Sequence, residues 1–289
     1  MSDKKEIDEV SGTQTTGHEW DGIKELNTPL PRWWINIFYA CIVWAIGYWI
    51  LMPAWPMIHG YTHGYFNHSQ RDDVTKNVDA LKAARAAKEH ELANASLAKI
   101  QANPELLQFA LAEGKSVFGD NCVPCHGAGG QGARGYPNLN DDVWLWGGKL
   151  GDIQHTITVG VRSTSAETRQ SQMPAFGRDG ILKPAQIEDL TEYVVHISGR
   201  PADPAAVGRA TKLFAENCAA CHGPAGKGDR KFGAPNLTDN EWEYGSKRED
   251  IHDQIWNCHG GVMPTWGGRL TPETIKALAV YVHSLGGGE

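Results

Sequence analysis

Two short stretches of the chain, Cys122-Val-Pro-Cys125-His126 and Cys218-Ala-Ala-Cys221-His222, each set two thiols three residues apart with an imidazole directly after the second. On one helical turn, that spacing lets each sulfur add to one of the two vinyl groups of a haem while the imidazole approaches the iron from one side. This CxxCH pattern marks c-type haem attachment. A thioredoxin-type redox pair needs a βαβ setting and has no use for the histidine, and a zinc site needs CxxC pairs meeting at one metal. The pattern therefore predicts two covalently bound haem c groups, held by Cys122, Cys125, Cys218 and Cys221, with His126 and His222 as axial ligands.

A haem iron also needs a sixth ligand or an open face. Met173 and Met263 stand in matching Met-Pro contexts, and the other three of the five methionines are Met1, Met52 and Met57. His/Met ligation is a cytochrome c arrangement that raises the potential and favours electron transfer, so both methionines are expected to be iron ligands. His155, His196, His252, His259 and His283 lack a histidine counterpart in the other motif, and His259 is the alternative ligand among them. Trp144, Trp146, Trp242 and Tyr244 are candidates to line the haem edges, although packing alone would account for them too. Cys41 and Cys258 are expected to be free thiols. His59, His63 and His68 are read as a solvated interfacial strip rather than a metal site.

The elements around these residues form an internal repeat. A shift of 96 lays Phe118, Asn121, Cys122, Cys125 and His126 on Phe214, Asn217, Cys218, Cys221 and His222. A shift of 98 lays Trp144 and Asp152-Ile153 on Trp242 and Asp250-Ile251, and a shift of 90 lays Met173-Pro174 on Met263-Pro264. Helix starts are announced by Asn103-Pro104 and Asp203-Pro204, then by Lys183-Pro184 and Thr271-Pro272. Apolar residues recur at helical spacing in Ile187, Leu190, Val194 and in Ile275, Leu278, Val282. The fold is thus expected to be all-α, with one cytochrome c-like domain over 104–200 and a second over 201–289. Residues 57–103 read as a linker whose Ala-, Lys- and Glu-rich part, 79–101, forms an exposed spacer helix.

Upstream, Trp33–Leu51 is a run of nineteen residues with no charge, about as long as a bilayer core is thick when helical. Arg32 bounds it on one side and Pro53 on the other, so a transmembrane helix over 32–56 is expected, after an N-terminal segment 1–31. A cleaved signal peptide would be shorter in its apolar core and nearer Met1. Lys4, Lys5, Lys24 and Arg32 precede the span and no basic residue follows until Arg71, which favours a cytoplasmic N-terminus. The net charge of −7 argues against a nucleic-acid partner.

The stretch from His18 to Trp34, HEWDGIKELNTPLPRWW, followed by the span and two CxxCH domains, resembles subunit III of cbb3-type cytochrome c oxidases over nearly the whole chain. That resemblance implies a membrane-anchored dihaem cytochrome c that is itself non-catalytic and passes electrons toward a haem-copper catalytic subunit beside a monohaem cytochrome subunit. A soluble cytochrome c is a further candidate donor. It also implies a bacterial inner membrane with the haem domains in the periplasm. A free-standing tethered dihaem cytochrome, or a dihaem peroxidase-like enzyme with one open iron face, are the alternatives.

Overall fold

A computed structural model of the chain describes residues 6–289, in two compact units divided between residues 82 and 83. Lys4 and Lys5, half of the charge argument for orientation, lie outside the described residues.

In the first unit, β1 (Thr15–Trp20) and β2 (Ile23–Leu26) form an antiparallel hairpin turned at Asp21-Gly22, both with positive φ. Asp-Gly is the turn pair whose twist matches paired strands, and it makes a hairpin that apolar alternation alone did not announce. Helix α1 (Arg32–Leu51) is about 30 Å long and buries none of its residues within the protein. A helix apolar all round and unburied needs an apolar medium, so the feature fits a bilayer anchor. A second, two-residue hairpin, β3 (Pro56–Met57) with β4 (Gly60–Tyr61), follows it.

The second unit is helical. Helix α2 (Gln70–Asn94) reaches into it, and α3 (Leu97–Ala102) follows, capped by the Ser96 hydroxyl on the Lys99 amide. The expected spacer helix is exposed along most of α2, but its end and α3 pack into the unit. Leu92 and Ile100 are fully buried with Leu106, Ala110, Ala277 and Val280 in one apolar cluster. Lys276 Nζ donates to the carbonyls of Ala93 and Ala95 at 2.6 and 2.8 Å, satisfying the open end of α2.

The repeat then supplies α4 (Pro104–Asn121), α5 (Val123–His126), α6 (Leu150–Val159) and α7 (Pro184–Ile197). Its second copy supplies α8 (Pro204–Asn217), α9 (Ala219–His222), α10 (Arg248–Asn257) and α11 (Pro272–His283). The caps form as expected: Asn103 Oδ1 accepts from Glu105 and Leu106, Asp203 from Ala205, and Thr271 from Thr274.

The helices do not pack within the bounds 104–200 and 201–289. Helix α11, from the end of the chain, packs on α4 and α6 of the first copy, and α7 packs on α8 and α10 of the second. Two cores result. One gathers Phe118, Ile153, Ile157, Trp266, Ile275, Leu278 and Val282, and the other Phe176, Ile187, Leu190, Val194, Phe214, Ile251 and Ile255. Only residues 198–203 join α7 to α8, and a link that short favours antiparallel neighbours. With α7 committed to α8, the groove on α4 takes α11. Gly114 lets the backbones meet there, since a Cβ at that position would sit 2.4 Å from the Ala277 carbonyl oxygen. The chain from about 171 to 257 therefore makes one lobe inserted between the two halves of the other.

Candidate haem-attachment sites

The two CxxCH turns are built alike. The amides of Cys122 and Cys218 close the ends of α4 and α8 on Phe118 and Phe214, so each first cysteine is placed by the long helix before it. The loop after each histidine folds back over it: Gly132 N–H donates to the His126 carbonyl and Gly228 N–H to that of His222, both at 2.8 Å. Gly132 and Gly228 have φ of 70° and 80°, and a Cβ on either would lie 2.5 Å from a backbone oxygen, so the loop requires glycine.

His126 Nδ1 lies 3.1 Å from the Pro137 carbonyl and His222 Nδ1 lies 3.0 Å from that of Pro235. A carbonyl only accepts, so Nδ1 carries the proton in each ring and Nε2 keeps its lone pair for a metal. Burial holds both imidazoles below the usual histidine range, which keeps them neutral. Burial, with the neighbouring cysteine, pushes the Cys122 and Cys218 thiols up to about 11. All four motif cysteines are free, so no disulfide competes for the sulfurs. Two unpaired thiols beside an imidazole whose Nε2 lone pair is left free by the Nδ1 hydrogen bond are the donor set that a covalent haem requires, and the residues fit that group.

Exchange of the helices decides which methionine meets which motif. Met263 packs on the core that includes Cys122 and Val123, and Met173 on the core that includes Cys218 and Ala219. Each Met-Pro loop is tied to the helix of the other copy. Phe176 and Gly177 donate to the carbonyls of Ile255 and Trp256, and Trp266 and Gly267 to those of Ile157 and Thr158. Met263 also pairs with Val161 through two backbone bonds of 3.0 Å. The packing thus sets each methionine beside the CxxCH motif of the other copy rather than that of its own.

The remaining candidates take lesser places. His259 Nε2 pairs with Asp253 at 2.7 Å, and His252 with Glu188 at 3.3 Å. His155 and His196 are exposed, and His283 Nε2 bonds the Glu289 carbonyl at 3.1 Å. Trp144 bonds the Gly287 carbonyl through Nε1, and Trp242 that of Asp239. Trp146 lies under the Arg169 guanidinium and against Gly233, while Tyr244 Oη accepts the Gly261 N–H at 3.0 Å. Among the described residues, no group of three His, Cys, Asp or Glu side chains gathers as a metal site. His68 pairs with Asp73, and His63 packs on Tyr61.

Sequence reasoning missed Arg162 and Glu243, and it read Cys258 only as a free thiol. Arg162, at φ 52°, donates from Nε to the Gly261 carbonyl at 2.6 Å and from Nη1 to the Ser171 carbonyl at 3.0 Å. Cys258, at φ 51°, caps α10 where Gly160 caps α6, and its thiol lies beside the Met173 backbone amide. Glu243 has its carboxyl pushed up to about 7 by burial, with Asp141 and Glu241 adding to the shift. The alignment at a shift of 98 does set Cys258 on Gly160, which was the available signal for one of them.

Comparison with known proteins matches residues 12–59 to the N-terminal domain of cytochrome oxidase-cbb3, FixP. Residues 111–198 match the cytochrome c model, and residues 205–282 match cytochrome c oxidase, cbb3-type, subunit III. A cbb3-type cytochrome c oxidase subunit FixP of Bradyrhizobium sp. (strain ORS 278) is 58% identical over 292 residues, covering 100% of both chains. Subunits named CcoP from Cereibacter sphaeroides and Azospirillum brasilense are 51% and 48% identical, over 95% and 99% of each chain respectively.

Proposed function

The chain belongs to the FixP/CcoP family of cbb3-type cytochrome c oxidase subunits, and from that premise we propose that it is a dihaem relay with crossed axial ligation. As a member of that family it is an electron-transfer subunit with other oxidase subunits for partners, its cytochrome c domains carry covalent haem c, and its apolar helix is consistent with a membrane anchor. The finer reading is that Cys122, Cys125 and His126 share one haem with Met263, and Cys218, Cys221 and His222 share the other with Met173. The observation that carries it is the packing of each methionine on the core of the opposite motif.

Bound haem supplies a one-electron ferric/ferrous couple. The chain does the rest. Pro137 and Pro235 fix the tautomer and orientation of the two histidines. The thioether of each methionine, soft and weakly donating, favours the ferrous state over what a second imidazole would give. Both histidine and methionine are half-buried against apolar cores, which limits water at the iron and small reorganisation follows from rigid packing. A histidine and a methionine held for each iron would leave no coordination site for substrate, which supports relay over peroxidase chemistry.

In this reading the anchor lies in a bacterial inner membrane with the N-terminus cytoplasmic and the haem unit periplasmic; Lys24 and Arg32 before α1 support the orientation. The partners are a haem-copper catalytic subunit and a monohaem cytochrome subunit, with a soluble cytochrome c as a possible donor. The test is purification in mild detergent. The denatured chain should keep haem staining, exceed its bare mass by two haems, and copurify with a copper-containing subunit. One haem, or consumption of added peroxide by the isolated chain, would overturn the proposal.

A further inference from the structure

We propose that Arg162 is a positioning residue that clamps both methionine loops together, so that the sixth ligands of the two irons are held by one side chain. The inference rests on the reading of Met173 and Met263 as axial ligands. Ser171 and Gly261, whose carbonyls accept the guanidinium N–H groups, each lie two residues before one of those methionines. A guanidinium is a planar fork that cannot turn one donor without moving the other, so the two carbonyls are held at a fixed separation. Charged donors make the stronger class of hydrogen bond, and both acceptors are backbone atoms, which transmit position directly along two peptide units.

The backbone of Arg162 is committed as well. Its N–H donates to the Arg169 carbonyl at 2.9 Å, and the adjacent Val161 is paired on both sides with Met263. The residue thus belongs to the strip that fixes one methionine, and its side chain reaches the segment of the other. Its φ of 52° is in the left-handed region, unfavourable for a side chain of this kind and maintained where surrounding bonds demand it.

The repeat shows why there is a single clamp. At the shift of 98, Arg162 falls on Gly260, and a Cβ there would lie 3.5 Å from the Arg162 Nε. The two positions face each other where the chain enters and leaves the inserted lobe, with one guanidinium lying over a glycine. Duplication produced two equivalent positions, and one arginine occupies the space of both. A disturbance of either loop therefore reaches the other without passing through a haem.

The test uses the full-length dihaem protein in detergent, with Arg162→Gln to remove the charge and fork. Arg162→Gly adopts the same φ without strain and so separates loss of the clamp from misfolding. Three readouts apply: the two midpoint potentials, binding of added imidazole to the ferric protein, and backbone hydrogen exchange at 171–173 and 261–263. In both variants, both potentials should fall and exchange should rise in both loops. Losing one charge-assisted bond per loop should make each methionine roughly tenfold easier for imidazole to displace. A change at one haem only, or lower thermal stability with both potentials and imidazole affinities unaltered, would overturn the clamp. Absence of the ferric methionine–iron charge-transfer band in the unsubstituted protein would overturn the ligand reading, and with it this inference.

Discussion

The Met263 loop is fastened by backbone. Met263 and Val161 exchange two hydrogen bonds, and Gly160, with φ of 72°, brings the end of α6 so near that a Cβ would stand 2.4 Å from the Met263 carbonyl oxygen. At the equivalent turn of the other lobe Cys258 replaces glycine, the thiol lies beside the Met173 amide, and no backbone pair holds Met173 among the described residues. Two copies of one ancestral turn thus fix their methionines by main-chain pairing in one case and by side chains in the other. Pairing leaves no room for a Cβ, whereas side-chain fixing tolerates one, so the first loop is more easily damaged by enlargement and the second by truncation.

The crossed arrangement can be broken most forcefully by moving the ligands. Met263→His should lower the potential of one haem, since imidazole stabilises ferric iron better than thioether does, and it should do so in a protein whose Cys218 and Cys221 are replaced by serine. In a protein lacking Cys122 and Cys125, the same change should leave the remaining haem untouched. Redox titration of these single-haem proteins decides the pairing, and the opposite pattern would restore the sequential one.

Next in size is the start of the haem unit. A protein beginning at residue 83 keeps Leu92 and Ile100 in their cluster, while one beginning at 104 exposes Leu106, Ala110, Ala277 and Val280. Burying two such aliphatic side chains contributes roughly 3–6 kcal/mol, so the shorter protein should unfold at distinctly lower denaturant, and the effect should fall on the lobe containing α11. Equal midpoints in a denaturant titration would show that the cluster adds nothing.

A pair of cap substitutions sharpens the contrast between the turns. Gly160→Ala should cost about 1–3 kcal/mol, because it adds both a clash and a strained φ, and should perturb the Met263 ligand. Cys258→Gly relieves strain while losing the thiol contact, so its stability should stay within about 1 kcal/mol of the parent, with the Met173-ligated haem shifted more than the other. Thermal unfolding and paired redox titrations read both outcomes.

The smallest effect concerns Glu243. Its carboxyl is pushed from 4.5 to about 7 by burial, then by Asp141 and Glu241, so between those values the folded chain holds a proton that the unfolded chain releases. Below that window neither state is charged there; across it stability falls as pH rises, and above it the loss is complete. Glu243→Gln should flatten that decline in the thermal midpoint. An unchanged pH profile would remove Glu243 as its source.

What was legible in the sequence was whatever chemistry or local geometry writes within a few residues. The CxxCH motifs, the Met-Pro sites and the caps at Asn103, Asp203 and Thr271 all needed only neighbours in the chain to be recognised. Apolar spacing in α7 and α11 identified which face is buried but not which helix buries it, and two equivalent grooves were on offer. The six-residue link 198–203 carried the missing information, because it limits how far α7 can stray from α8. Leu92 and Ile100 escaped notice because an Ala/Lys/Glu-rich helix with few apolar residues reads as solvated until its partner is known. The Asp21-Gly22 turn was a local signal of the first hairpin, set between strands too polar to draw attention.

Insertion of one lobe within the other also sets an order of biosynthesis. When the chain has emerged as far as Asn257, every helix of the inserted lobe exists, and α7, α8 and α10 can close around their core. The outer lobe at that moment has α4 and α6 but lacks α11, so the apolar face around Phe118 stays open until residues 272–283 have also emerged. The cysteines nearer the start of the chain thus wait longer in an unfinished fold than those made after them, and any ribosome that stops short of residue 272 leaves one complete haem lobe and one that cannot close.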